Sequence, residues 1–228
     1  MHTTERLRNI PCFSGLDAAH LRVLATSLGT QTFERGETIF HQGSFGTVLY
    51  IIVSGQVRIY TVSEAGQELS VTIFRSGEFF GELALLDGQP RSASAVAMCR
   101  TTALLLHRSA FISAVQSHPP IAIAVLEAMS QRLRQSTNHA DLLSTSSAFQ
   151  RVARQLLTLA ERYGQREGAI THIDLHLTQD DLASLAGTTR ETVNRALAIL
   201  RDQGLIRVAR ARVSVVDRVG LEQVITQG

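Results

Sequence analysis

The stretch from Phe80 to Ala97, FGELALLDGQPRSASAVA, gathers residue types able to hold a phosphorylated sugar. Gly81 and Glu82 stand at the mouth of a short turn or helix, and Arg91 and Ser92 follow closely. Glycine lets the backbone approach an anion, and the free amides that open a helix attract one. An arginine fork grips phosphate oxygens through charge-assisted hydrogen bonds. A carboxylate accepts from sugar hydroxyls, as acidic residues do in dinucleotide folds. Taken singly, each residue has a plainer reading: Gly81 as a turn glycine, and Glu82 with Arg91 as a surface ion pair. Together, one anion gripper and one hydroxyl acceptor suit a ribose phosphate.

A second constellation lies near the C-terminus. Thr178–Ala186 reads TQDDLASLA, in which Thr178 is a good helix cap with Asp181 at the third helical position. Gly187 breaks that helix, and Thr188 with Glu191 predicts a second capping box ahead of RETVNRALAILRDQG. Two short helices joined by a tight glycine turn make a helix-turn-helix. Val193, Leu197 and Leu200 face inward, which leaves Arg190, Glu191, Asn194 and Arg195 on the opposite face. The early residues of a recognition helix reach base edges in the major groove. Arginine binds guanine bidentately and glutamate accepts from cytosine, each good pair discriminating by ~1–3 kcal/mol. Leu205–Val208 and Val213–Val216 predict a hairpin wing, with Arg210 and Arg212 at its tip within reach of phosphates. The plainer alternative is a small helical domain whose charges are only solvated.

Between these groups the pattern switches from strands to helices. Asp17–Leu28 reads as a capped helix with Leu21, Leu24 and Leu28 on one face. Thr38–His41, Val48–Val53, Val57–Thr61, Leu69–Phe74, Ala93–Ala97 and Ala103–Leu106 read as strands punctuated by glycines, the signature of an antiparallel barrel or sandwich. A short helix ends before His118, and Pro119–Pro120 suit the start of another. Ala122, Leu126, Met129, Leu133, Ser136, Ala140 and Leu143 then follow four-three spacing, a seam for a parallel dimer helix or for packing on the chain's own barrel. Ser144–Ser147 predicts a hinge or cap. Phe149–Tyr163 is helical, Gly164 terminates it, a polar loop follows, and Ile170–Leu177 holds a short strand.

Composition sets outer limits. The 228 residues are 44% hydrophobic and 18% charged, as in a globular protein. No apolar run approaches a bilayer span and the N-terminus lacks an apolar signal core, so the expected compartment is the cytoplasm, without a membrane partner. The net charge of +2 does not announce a nucleic-acid partner, so any such partner must be read by a local surface. Every non-histidine basic residue is arginine. Two cysteines, Cys12 and Cys99, speak against a disulfide framework, a structural zinc site or an iron–sulfur cluster, and no metal site is expected. His172 and His176 read as non-ligands. No nucleophile–base pair or Walker-type loop is present, so an enzyme is not expected.

Over nearly its whole length the chain resembles the CRP/FNR family of transcription regulators, nearest to the branch of the cyclic AMP-responsive catabolite activator. The resemblance rests on IFHQGSFGTVLYIIVSG (Ile39–Gly55), on FGELALLDGQPRSASAVA, and on the helix-turn-helix. It implies an α+β chain of three parts. Residues 1–117 would form a cyclic-nucleotide-binding β-roll, a jelly-roll-like barrel. Residues 118–147 would form a long dimerisation helix and hinge, and residues 148–228 a winged helix-turn-helix that binds DNA. It implies cyclic AMP as allosteric ligand, without a metal. Glu82 would take the ribose 2′-hydroxyl. Arg91 would take the cyclic phosphate, helped by Ser92 and the backbone around Gly81, Leu83 and Ala84. Ser136 and Thr137 would contact the purine, and Arg132 would couple the central helix to Glu82. Arg190, Glu191 and Arg195 match base-reading positions for a palindromic TGTGA-like site, and Thr178, Thr189 and Thr192 match phosphate-contacting ones. The partners implied are double-stranded DNA, a second copy in a homodimer, and RNA polymerase. Three departures stand out: Glu82 and Arg91 are one residue closer than in the activator, Ser136 replaces a threonine, and Ala209–Ala211 replaces a glycine turn at the wing. Alternatives are the same DNA-binding role under cyclic GMP, cyclic di-GMP, another effector or none, and a nucleotide-gated subunit acting on a protein.

Overall fold

Alternation along one strand shows how the barrel is built. In β3 (Val48–Ser54) Leu49 and Ile51 point into one apolar cluster, and Tyr50 and Ile52 into another. Side chains alternate across a sheet, so a strand apolar on both faces must be covered on both. The computed structural model describes residues 3–8, 10, 13–64, 66, 68–209 and 212–226. Within the long central helix the side chains of residues 135, 136 and 138–145 are outside that description.

The described chain divides into two compact units, residues 1–67 with 71–136, and residues 68–70 with 137–228. The first holds β1 (Leu28–Phe33), β2 (Thr38–Phe40), β3, β4 (Gln56–Val62), β5 (Glu68–Arg75) from Val71 onward, β6 (Phe79–Phe80), β7 (Ser94–Ala97) and β8 (Thr101–His107). They form two four-stranded sheets, ordered β1-β8-β3-β6 and β2-β7-β4-β5. The first sheet packs with α1 (Thr3–Arg8), α2 (Ala18–Ala25), α4 (Arg108–Ser117) and the start of α5 (Pro120–Thr145) through Leu7, Leu21, Leu24, Phe111, Ile121 and Val125. The strand-rich barrel expected from the glycine punctuation is present, with α3 (Glu82–Asp87) set between β6 and β7.

The second unit contains α6 (Ala148–Tyr163), β9 (Gly164–Glu167), β10 (Ile170–Ile173), α7 (Gln179–Leu185), α8 (Arg190–Asp202), β11 (Ile206–Ala209), β12 (Arg212–Val215) and α9 (Arg218–Thr226). Its sheet runs β11-β12-β10-β9. Ser147 caps α6 in a capping box with Gln150, as the STSS run suggested.

Some expectations give way. The first long helix stops at Ala25 instead of Leu28, because Leu28 begins β1 and pairs with Leu106. β1 itself escapes sequence reading: LGTQTF is largely exposed and has little alternation. Gly164 does end α6, but the chain continues as strand β9 paired with β10, not as a loop. α1 and α9 were not expected.

α5 presents two apolar faces. Ile121 and Val125 are buried in the first unit, with Ala128 and Met129 packed partly against them. Ile123, Leu126 and Leu133 are exposed, Leu126 at 64% and Leu133 at 70%. Two leucines seven residues apart share a helix face. Among the described residues no single helix is long and apolar enough to cross a membrane.

Candidate nucleotide and DNA sites

Gly81 lies at φ 80° and caps α3, so the chain turns sharply out of β6 and delivers Glu82 inward. Glu82 is 6% exposed and Arg91 is 4% exposed. They do not form the surface pair of the plainer reading. Glu82 Oε1 is 2.9 Å from Arg132 Nη1, and Arg132 also donates to the Phe79 carbonyl while lying over the Phe74 and Phe79 rings. An ion pair thus joins Arg132 of α5 to Glu82. Burying one partner without the other would leave an uncompensated charge, so the pair holds its geometry.

Arg91 is arranged differently. Its Nη1 donates to the Gly81 carbonyl at 2.5 Å and its Nη2 to the Val48 carbonyl at 2.7 Å. Its buried Nε has no hydrogen-bond partner. Burial pushes the guanidinium below its ordinary pKa, against the opposing influence of Tyr50 and Glu82. Arg91 thus remains a desolvated cation held by neutral groups, which favours an incoming anion. Leu83 and Ser92 are exposed beside these groups, and Ala84 is buried. Thr137 is exposed, and the Ser136 side chain lies outside the described residues.

The second unit builds the other site. Thr178 caps α7, accepting from the Asp181 amide at 3.1 Å and donating to Asp181 Oδ2 at 2.7 Å. Gly187 turns the chain at φ 58°. The second cap is Thr189 rather than Thr188, since Thr189 Oγ1 accepts from the Thr192 amide at 3.3 Å. The Thr188 amide is spent on the Ala183 carbonyl at 3.0 Å, which closes the turn, so the helix starts one residue later than the expected capping box. Val193, Ala196, Leu197 and Leu200 bury one face of α8, and Arg190, Glu191, Asn194 and Arg195 are exposed on the other. Arg190 lies 3.5 Å from Asp180 and within hydrogen-bond reach of Gln179. Its own backbone amide holds the Glu191 carboxyl below the ordinary carboxylate range, helped by the Thr189 hydroxyl.

β11 and β12 pair from Ile206↔Val215 to Ala209↔Arg212, which is the expected wing. Arg212 is exposed, and Arg210 lies outside the described residues. One contributor was not foreseen. Arg151 of α6 donates to the carbonyls of Ser146, Ala186 and Gly187, each at 2.9 Å, and so clamps the turn between α7 and α8. Nothing in the local sequence separates Arg151 from the other arginines of its helix. No group of three or more metal-ligating side chains occurs among the described residues.

A strand-built unit with a buried guanidinium and a buried carboxylate, followed by a winged helix-turn-helix, defines a ligand-responsive DNA-binding regulator rather than an enzyme. Residues 30–118 match the cyclic nucleotide-binding domain and residues 150–224 the Crp-like helix-turn-helix domain. The chain belongs to the CRP/FNR family of transcription regulators. It is 37% identical over 214 residues to a CRP-like cAMP-activated global transcriptional regulator of Mycobacterium tuberculosis, covering 93% of this chain and 95% of that one. It is 35% identical over 218 residues to the cyclic AMP receptor protein of Thermus thermophilus, covering 96% and 98%. Among solved structures, the Thermus thermophilus catabolite activator protein matches with a TM-score of 0.55 and 34% identity over 95% of this chain and 99% of that one. The c-di-GMP responsive regulator CLP of Xanthomonas campestris shares the fold, with a TM-score of 0.75 at 24% identity over 87% and 99%.

Proposed function

We propose that the chain is a homodimeric transcription regulator switched by cyclic AMP. The observation that carries this reading is Arg91, a buried cation with an unpaired Nε and no carboxylate on it, close in sequence to the buried Glu82. These residues fit a cyclic nucleotide, which would supply a phosphate anion, a 2′-hydroxyl and a purine. Arg91 would hold the phosphate with Ser92 and the backbone of Gly81, Leu83 and Ala84. Glu82 would hold the 2′-hydroxyl, and Ser136 and Thr137 the purine. The names of the Mycobacterium tuberculosis and Thermus thermophilus relatives support cyclic AMP as the nucleotide.

The exposed Ile123, Leu126 and Leu133 support α5 as the dimer seam, because an exposed leucine stripe on a long helix gains most from burial against a second copy. In a homodimer two copies of α8 would present Arg190, Glu191 and Arg195 to half-sites one DNA turn apart. A TGTGA-like palindrome suits two arginines and a glutamate. Thr178, Thr189, Thr192, Arg210 and Arg212 would hold the backbone phosphates, in the cytoplasm, with RNA polymerase as the further partner. The ligand shifts DNA affinity only through its differential affinity for the DNA-competent state. Ligand that displaces Arg132 from Glu82 would transmit that difference to α5. Titration of a palindromic probe with and without cyclic AMP tests the reading, and equal operator affinity in both arms refutes the switch. Calorimetry with cyclic AMP, cyclic GMP and cyclic di-GMP identifies the effector.

A further inference from the structure

A buried arginine that must greet an anion needs support that does not consume its charge. A carboxylate on Arg91 would compete with the ligand, whereas carbonyls and an aromatic face attract the guanidinium and leave its charge in place. The Gly81 and Val48 carbonyls supply the first kind of support. The second comes from Phe40, whose ring centroid lies 4.2 Å from Arg91 Cζ, with Tyr50 more distant at 5.9 Å. Phe40 is itself fixed. It pairs with Ala95 across β2 and β7, packs on the Ile52–Val57–Phe74–Phe80–Ala95 cluster, and touches the Tyr50 and Phe80 rings at 5.8 and 5.9 Å.

The bare backbone of Gly46 lies against the same guanidinium. A Cβ placed on Gly46 would sit 2.1 Å from Arg91 Nε and 2.3 Å from Cζ. Gly46 is not among the glycines with positive φ, so an alanine there meets no backbone strain. The three nearest atoms to that Cβ all belong to the end of the Arg91 side chain. The loop before β3 also follows Arg91 through the backbone: the Arg91 amide donates to Ser44 and the Gly43 amide to the Arg91 carbonyl, both at 2.8 Å.

We propose that Phe40 and Gly46 are positioning residues for Arg91, the ring face and the side-chain-free backbone together orienting the guanidinium for the phosphate of a cyclic nucleotide. The proposal rests on the reading of Arg91 as the phosphate grip. Phe40 acts through the negative face of its ring, not merely by filling the barrel. Gly46 acts through the space it leaves. Neither residue needs to touch the ligand.

The test uses the full chain and calorimetry with cyclic AMP as the probe, on protein whose Phe40 alone is replaced by singly and then triply fluorinated phenylalanine. Ring shape is nearly kept while the attraction for a cation falls stepwise. Cyclic AMP affinity is expected to weaken stepwise by about 2- to 30-fold at constant melting temperature, the range spanned by a cation–π contact. Gly46→Ala should weaken cyclic AMP binding, because its Cβ would displace the Arg91 guanidinium from the Gly81 and Val48 carbonyls, and unchanged affinity overturns the role of Gly46. Unchanged affinity across the fluorinated series, with Arg91→Met still losing binding, overturns the role of Phe40 and leaves the phosphate grip standing. If Arg91→Met binds cyclic AMP like the unaltered chain, the phosphate grip itself has failed and the proposal falls with it.

Discussion

The two units handle charge in opposite ways. In the first, Glu82 and Arg91 are buried, and each has a defined set of partners before any ligand arrives. In the second, Arg190, Glu191 and Arg195 are exposed on α8, held by weak neighbours such as Asp180 at 3.5 Å. A buried charge is expensive to leave unpaired and therefore discriminates sharply among small ligands. An exposed charge costs little to maintain and can wait for a polyanion, with affinity tuned by salt. A sensor needs the first arrangement and a DNA reader the second.

The largest expected effect breaks the buried side. If Arg91 holds the phosphate as proposed, Arg91→Met should weaken cyclic AMP binding by at least ~100-fold, equivalent to about 3 kcal/mol, through the loss of charge-assisted hydrogen bonds. Calorimetry reads this, while DNA binding by the second unit's surface in the absence of ligand should be unaltered. On the exposed side, Arg190→Ala should cost ~1–3 kcal/mol on a TGTGA-type palindrome and relax selectivity at one base pair. Competition binding with single-base variants of the probe measures it, and an unchanged preference would contradict the base-reading assignment.

A smaller effect separates scaffold from surface. Thr189→Ala removes the cap of α8 and should lower stability by about 1 kcal/mol in chemical denaturation, without touching the nucleotide pocket. The smallest effect is in titration. Glu191 has its folded-state pKa depressed below the ordinary 4.5, first by its own backbone amide and next by the Thr189 hydroxyl. Its stabilising contribution is therefore present above the unfolded pKa and lost as the pH falls through the depressed folded value. Carboxyl resonances followed by NMR should place the Glu191 midpoint below 4.5, and Thr189→Ala should move it back upward. A midpoint indifferent to that substitution would show that the Thr189 hydroxyl does not support this carboxylate.

How much of this was legible from residues depends on the range of the interaction involved. Local chemistry read well. Asp17, Ser147 and Thr178 cap their helices where their side chains and following amides imply. Gly187 turns between two helices whose apolar spacing is visible by eye. Failures came where a distant strand decided the outcome. Leu28 leaves its helix because Leu106 pairs with it, and β9 exists because β10 returns beside it. The misplaced capping box at Thr188 shows the same effect at short range, since the Ala183 carbonyl claims the amide first.

The site divides along the same line. Residue order alone determined that a glycine, a carboxylate and an arginine lie within a dozen positions, that a capped arginine-rich helix follows a glycine turn, and that a heptad-like helix separates them. Those features are short-range, set by rotamers, caps and periodicity. Only the tertiary structure decided that Glu82 pairs with Arg132 from α5, that Arg151 clamps the turn before α8, and that Phe40 and Gly46 enclose the Arg91 guanidinium. Each of these joins groups tens of residues apart: the closing of β2 onto β7 brings Phe40 to Arg91, the packing of α5 on the barrel brings Arg132 to Glu82, and the packing of α6 on the helix-turn-helix brings Arg151 to its turn.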